Sequence, residues 1–189
     1  MKFPICCTLT GWNQSLPEQG WLVTTLLDTN ILSVFAKLGR LELLFQVLGA
    51  PLVISPNVQR ELQSGLALGY ENLRPALALL ETGQLQAISI EAAEQGLLAR
   101  VPFPPDKGEA DSLAWCIAHA GTFVTNDERA ARRASALGVH VVRQRDILRA
   151  LWVKGLLSIE QVRALIVEME TRVGIILPDQ DGIFADPSD

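Results

Sequence analysis

Five apolar runs of strand length alternate with helical stretches along this chain, which confines it to an α/β fold with a mostly parallel sheet. The first run, 22–27, is aliphatic and β-branched and leads straight into Asp28-Thr29-Asn30. The others are 51–54, 85–90, 122–125 and 139–142. Between the first two, Ile31, Leu32, Phe35 and Leu38 recur at helical spacing up to Gly39, and a second helix over 41–48 stops at Gly49. Ser55-Pro56 starts another, with serine as the cap and proline in the first turn. Residues 66–82 read as one or two helices interrupted near Pro75; 91–100, 107–120 and 128–137 are each helical, and 101–106 is a proline-rich loop. Parallel neighbours need crossovers of this kind, and the crossing helices cover the sheet on both faces. The expected architecture is a three-layer α/β/α sandwich, Rossmann-like in its central sheet, with a helical carboxyl-terminal extension.

With 189 residues, 49% of them hydrophobic and 20% charged, the chain suits one full-sized globular domain. We divide it into an amino-terminal arm (1–20), the α/β domain (21–157) and a carboxyl-terminal helix with an acidic tail (158–189). Helices are expected over 144–154 and 158–172, followed by a loose tail. The stripe Ile159, Val162, Leu165, Ile166 and Met169 suits either the core or a second subunit. No apolar run approaches the roughly 18 residues that a membrane span requires, and the start lacks a signal-peptide layout, so a cytoplasmic location is expected. Cys6 and Cys7 are adjacent and Cys116 stands alone, a pattern of neither disulfides nor zinc sites. His119 and His140 are likewise isolated.

The net charge of −5 weighs against a general nucleic-acid coat protein. Its distribution is uneven. Seven basic residues (Arg129, Arg132, Arg133, Arg143, Arg145, Arg149, Lys154) face one acid, Asp146, over 129–154. That segment is a candidate phosphate-contacting face or a solvated helix surface.

Ligands of an open parallel sheet bind beyond the carboxyl ends of its strands. Asp28 follows the first strand and Asp127 the fourth, each with Thr and Asn beside it. Either one alone could simply cap the helix behind it. Asp111 shares a helical stripe with Ala114, Trp115 and Ala118, where a carboxylate is costly unless paired or bound to a cation. Glu109 is the second choice for that position, because Asp106-Lys107-Gly108-Glu109 has capping-box spacing that would occupy it at the helix start. Glu61 lies beside Val58 and Leu62 on the helix that begins at Ser55. Crowded carboxylates raise one another's pKa, a penalty that a hard divalent cation removes, and an all-oxygen set suits Mg²⁺ or Mn²⁺. Such a site activates water and screens a phosphodiester. No phosphate-binding glycine loop competes with it.

Four segments carry a family resemblance. Leu26-Leu27-Asp28-Thr29-Asn30 resembles the opening motif of PIN domains, and Ser55-Pro56-Asn57-Val58-Gln59-Arg60-Glu61-Leu62 their second acidic motif. Gly108-Glu109-Ala110-Asp111-Ser112-Leu113-Ala114 is similar to the third, and Val124-Thr125-Asn126-Asp127-Glu128-Arg129-Ala130-Ala131-Arg132 to the fourth. The resemblance covers about 22–155 and implies a ribonuclease that leaves 5′-phosphate and 3′-hydroxyl ends. It also implies Mg²⁺ or Mn²⁺ held by Asp28, Glu61, Asp111 and Asp127, with Glu109 as the second choice. Asn30 and Thr125 would support the ligands or the phosphate, and Arg129, Arg132 and Arg133 are candidate phosphate contacts. Many such relatives are VapC-type toxins, often dimeric and paired with a small antitoxin, so RNA, an antitoxin and a second copy are the implied partners. The alternatives are a PIN-like RNA-binding or scaffolding protein without catalysis, and a phosphotransfer enzyme using Asp28. The haloacid-dehalogenase kind of the latter usually needs a second Asp where this chain has Asn30.

Overall fold

The computed structural model describes residues 24–49, 51–91, 96–97, 107–178 and 180–185. The expected arm 1–20, most of the helix over 91–100 and the loop 101–106 lie outside the described residues. Five strands, β1 (Thr25–Leu27), β2 (Leu52–Ile54), β3 (Leu85–Ala87), β4 (Thr122–Val124) and β5 (His140–Val142), form one sheet in the order β3-β2-β1-β4-β5. Every pairing is parallel. Each strand is three residues long, shorter than the apolar runs that contain them. Ladder hydrogen bonds nevertheless continue beyond the ends, as from the Asp28 N–H to the Val124 carbonyl at 3.0 Å.

Register places Leu26 opposite Val53 and Phe123, and Leu27 opposite Ile54 and Val124. The strand period of two sends these triplets to opposite faces. Leu26, Val53 and Phe123 pack with Leu113, Cys116, Ala130 and Ala134, from helices α5 (Lys107–His119) and α6 (Glu128–Ala136). Leu27, Ile54 and Val124 pack with Phe35, Leu44, Leu62, Ala76, Ile147 and Ile166. Those belong to α1 (Thr29–Leu38), α2 (Leu41–Leu48), α3 (Pro56–Ala67), α4 (Arg74–Glu81), α7 (Gln144–Val153) and α8 (Ile159–Glu168). The three-layer sandwich follows directly from this division.

Local signals account for several boundaries. Gly39 ends α1 with φ 67°, a conformation that costs a β-carbon-bearing residue free energy. Ser55 caps α3 by accepting from the Val58 N–H at 3.4 Å. Pro75 does not interrupt a helix: a 3₁₀ turn, Glu71–Leu73, runs into α4, whose first turn holds the proline. A missing N–H is harmless there.

Four residues of the carboxyl-terminal stripe, Val162, Leu165, Ile166 and Met169, are buried in the core, whereas Ile159 is exposed. The described part of the acidic tail, 180–185, is docked rather than loose. It forms a last turn, α9 (Asp181–Phe184), whose Ile183 is 1% exposed. The Trp152 indole N–H donates to the Ile183 carbonyl at 2.9 Å, Arg149 donates to the Gly182 carbonyl at 3.0 Å, and Arg163 lies over the Phe184 ring at 4.1 Å. Two apolar side chains among the acids dock this segment, and the charge count does not reveal them. Ile183→Ala is expected to lower unfolding stability by about 2–4 kcal/mol in urea denaturation. A change within the error of the curve would show that the tail contributes nothing to the core. Among the described residues no helix is long and apolar enough to cross a membrane.

Candidate functional site

Strand order reverses at β1: the chain builds β2 and β3 on one side of it, then β4 and β5 on the other. The crevice at such a reversal, beyond the carboxyl ends of the strands, is where the helices part and backbone groups become available. A cavity of about 220 Å³ opens there, lined among others by Asp28, Glu61, Glu109 and Asp127.

Asp28 leaves β1 and caps α1, its Oδ1 accepting from the Thr29 N–H at 2.7 Å. Its Oδ2 accepts from the Thr125 hydroxyl at 2.8 Å. Thr125 is fully buried at the end of β4, and its Oγ1 in turn accepts from the Asp127 N–H at 3.1 Å. One hydroxyl therefore ties the two strand-end aspartates together. Asp127 caps α6, Oδ1 accepting from the Arg129 and Ala130 N–H groups at 2.7 and 2.8 Å. Capping and lining the cleft are thus roles that both aspartates hold at once. Burial raises the Asp28 pKa above the usual carboxylate value; donation from Thr125 and from the Thr29 backbone opposes this, and the charges of Glu61 and Asp127 add to it.

Glu61 is exposed on α3, and two donors hold it. The Thr29 hydroxyl donates to Oε2, and the Asn57 side-chain amide donates to Oε1 at 2.6 Å. Neither donor stands out in the sequence as functional. The available signals were the i, i+4 spacing of Asn57 to Glu61 and the adjacency of Thr29 to Asp28. Asn30, exposed, also lines the cleft.

The third acidic segment is arranged differently from the expectation that favours Asp111. Gly108, Glu109 and Ser112 are the α5 residues that line the cleft, and half-buried Asp111 is not among them. Helical phase explains it, because residues one and three apart from Glu109 fall on the same side of the turn as Gly108 and Ser112, whereas Asp111 is rotated by two residues. Glu109 is also paired across to α6: Arg133 Nη1 donates to its two carboxylate oxygens at 2.8 and 2.7 Å, and its expected capping partner, Asp106, lies outside the described residues.

The PIN domain family model matches residues 24–180, which include all five strands and the four cleft carboxylates. The chain belongs to the PIN domain family. No curated protein matches it. Among solved structures, VapBC2 from Rickettsia felis, bound to a DNA fragment from their promoter, is similar at a TM-score of 0.48 and 20% identity, covering 64% of this chain and 98% of that one.

In this PIN domain a close approach of α5 to α3 shapes the site. A β-carbon on Gly108 would stand 2.2 Å from the Asn57 amide nitrogen and 3.1 Å from its Cβ. Gly108→Ala therefore forces Asn57 off Glu61, although alanine favours the helix itself by about 1 kcal/mol. We expect little change in melting temperature but a loss of about tenfold in any activity that uses Glu61. Melting curves and turnover measured on the same preparation check this, and unchanged turnover would show that the Asn57 contact is dispensable.

The basic segment is largely engaged within the PIN fold. Arg132 and Arg143 both pair with Glu128, Arg149 bonds the Gly182 carbonyl, and Lys154 bonds the Val47 carbonyl. Arg129 is exposed at the start of α6. The histidines lie elsewhere: His119 stacks on Trp115 at 4.6 Å, and His140 Nδ1 is 3.4 Å from the Thr122 hydroxyl. Burial pushes the Cys116 thiol up to about 12, which keeps it inert.

As the side chains stand, no three Asp, Glu, His or Cys groups among the described residues are gathered closely enough to hold an ion. The chemistry of the donor set still fits a hard cation. The cleft offers carboxylate oxygens from four segments, and the Asp28 pKa is raised mainly by burial, with smaller contributions from the charges of Glu61 and Asp127 that a cation would offset.

Proposed function

We propose that this PIN domain is a ribonuclease that depends on Mg²⁺ or Mn²⁺. The observation that carries the reading is the meeting of Asp28, Glu61, Glu109 and Asp127 on one cleft at the strand-order reversal. These four would hold the cation, with Glu109 in the place that the sequence assigns first to Asp111. A bound divalent ion supplies positive charge that activates water and offsets the charge developing on a phosphodiester.

The chain's own residues do the rest. Thr125 fixes the Asp28 carboxylate and the Asp127 backbone, so the two central acids keep their separation when solvent or substrate enters. Thr29 and Asn57 hold Glu61 at the mouth. The amino termini of α1 and α6 both begin at the cleft, and their partial positive charge eases the crowding of carboxylates there. The same field favours an approaching phosphate, with Asn30 placed to donate to it.

The test uses purified protein and end-labelled single-stranded RNA with Mn²⁺ or Mg²⁺, with and without chelator. Cleavage is expected with either ion and none with chelator. Cutting that survives chelation would overturn metal dependence, and RNA binding without cutting would make this a scaffolding PIN domain. The motif resemblance extends the proposal to a toxin with a small antitoxin and a second copy as partners. Expression in growing cells is expected to arrest them; undisturbed growth would remove the toxin role and leave the nuclease reading intact.

A further inference from the structure

Arg133 already occupies one of the proposed ligands. Its Nη1 lies 2.8 and 2.7 Å from the Glu109 oxygens, and the two side chains are only 33% and 13% exposed. Its neighbour Arg132 makes a looser pair with Glu128, 3.4 Å apart with side chains 69% and 59% exposed, the kind of contact that water and salt largely screen. The Glu109 pair is shorter and better shielded, so its charges interact more strongly. It also bridges α5 and α6 beside three further cleft carboxylates. Any cation that needs Glu109 meets a resident competitor of the same sign.

We propose that Arg133 is the site's built-in counter-cation, which a divalent ion must displace from Glu109, and that displacement frees its guanidinium for a substrate phosphate. The proposal rests on the metal-dependent reading above. Arg133 is thus a positioning residue: it neutralises Glu109 while the cleft is empty and sets the concentration at which the ion enters. Metal loading and phosphate recognition become coupled, because the group released by the first event is suited to the second.

The experiment is Mn²⁺ binding by calorimetry on the whole chain, comparing wild type with Arg133→Gln, Arg133→Lys and the double variant Arg133→Gln/Glu109→Gln. Arg133→Gln is expected to bind Mn²⁺ roughly fivefold more tightly or better. Arg133→Lys keeps the competing charge and stays near wild type. The double variant loses the gain, because no carboxylate remains to be released. At saturating Mn²⁺, Arg133→Gln should raise KM for labelled RNA severalfold more than it lowers kcat. Affinity that is unchanged or weaker in Arg133→Gln overturns the proposal while leaving the metal site standing; wild type that binds no Mn²⁺ overturns the metal-dependent reading itself. Displacement is also readable in the wild type should Arg133→Gln fail to fold. Titration with Mg²⁺ should move the Arg133 Nε–H resonance, identified by its absence from Arg133→Lys, with the midpoint of ion binding. A resonance that stays fixed through saturation sinks the competition.

Discussion

Asp28→Asn is expected to abolish RNA cleavage, by about 100-fold or more, while making the metal-free protein more resistant to heat at neutral pH. The two effects have one origin. Burial holds the Asp28 pKa above its ordinary value, with Glu61 and Asp127 adding to the rise and Thr125 and Thr29 opposing it. Because the folded state binds this proton more tightly than the unfolded chain, the stability it contributes is complete below the ordinary carboxylate pKa. It is lost as pH rises through the elevated folded value. The difference in melting temperature between Asp28→Asn and wild type, both in chelator, should therefore grow from acid towards neutral pH. Adding Mn²⁺ should close the gap by stabilising wild type, since a ligand that binds only the folded state raises its stability. A difference that stays flat with pH would show that the Asp28 charge is already compensated in the fold.

Glu109→Gln and Asp111→Asn should differ sharply, although only two residues separate them. The first removes a carboxylate from the cleft and is expected to cost about 100-fold in turnover; the second should stay within about threefold of wild type. Initial rates at saturating Mn²⁺ decide it. The reverse ranking would mean that α5 turns its other face to the substrate. Glu109→Gln also deprives Arg133 of its partner, so its melting temperature should be measured alongside to separate lost chemistry from lost packing.

The difficulty of choosing between those acids from sequence has a physical cause. Around α5, Gly108, Ala110, Ser112, Leu113, Ala114, Trp115 and Cys116 are all buried, so the helix is covered on most of its circumference in this stretch. An apolar stripe fixes the phase of a helix only when the opposite side is polar. The spacing that aligns Asp111 with Ala118 does not mark an inward face, since Ala118 is exposed. The capping-box spacing compounded the problem by giving Glu109 a plausible local task. Strand-end positions were more readable, because the buried runs of β1 and β4 give way abruptly, at Asp28 and just past Thr125 at Asn126-Asp127, and parallel topology dictates which ends gather. Alternation of elements likewise made the layers legible, though it overstated the length of every strand. Thr125 and Thr29 act across the chain, on Asp28 and Glu61, whereas Asn57 acts within α3; Thr125 carried the clearest signal, through its place before Asn126-Asp127. The docking of Ile183 beside Trp152 depends on the same long-range contact and left no periodic trace.

The hydrogen bond from Thr125 to Asp28 joins residues 97 apart in the chain. Glu61 and Glu109 come from the span between them, so no short fragment contains the cleft. Closing so long a loop is entropically unfavourable, and β1 must pair with β4 before the acids meet. A cation consequently finds nothing to grip in a half-formed chain. An ion bound at the proposed site would act only as a brake on opening, lengthening the lifetime of the native state while leaving the speed of its formation untouched.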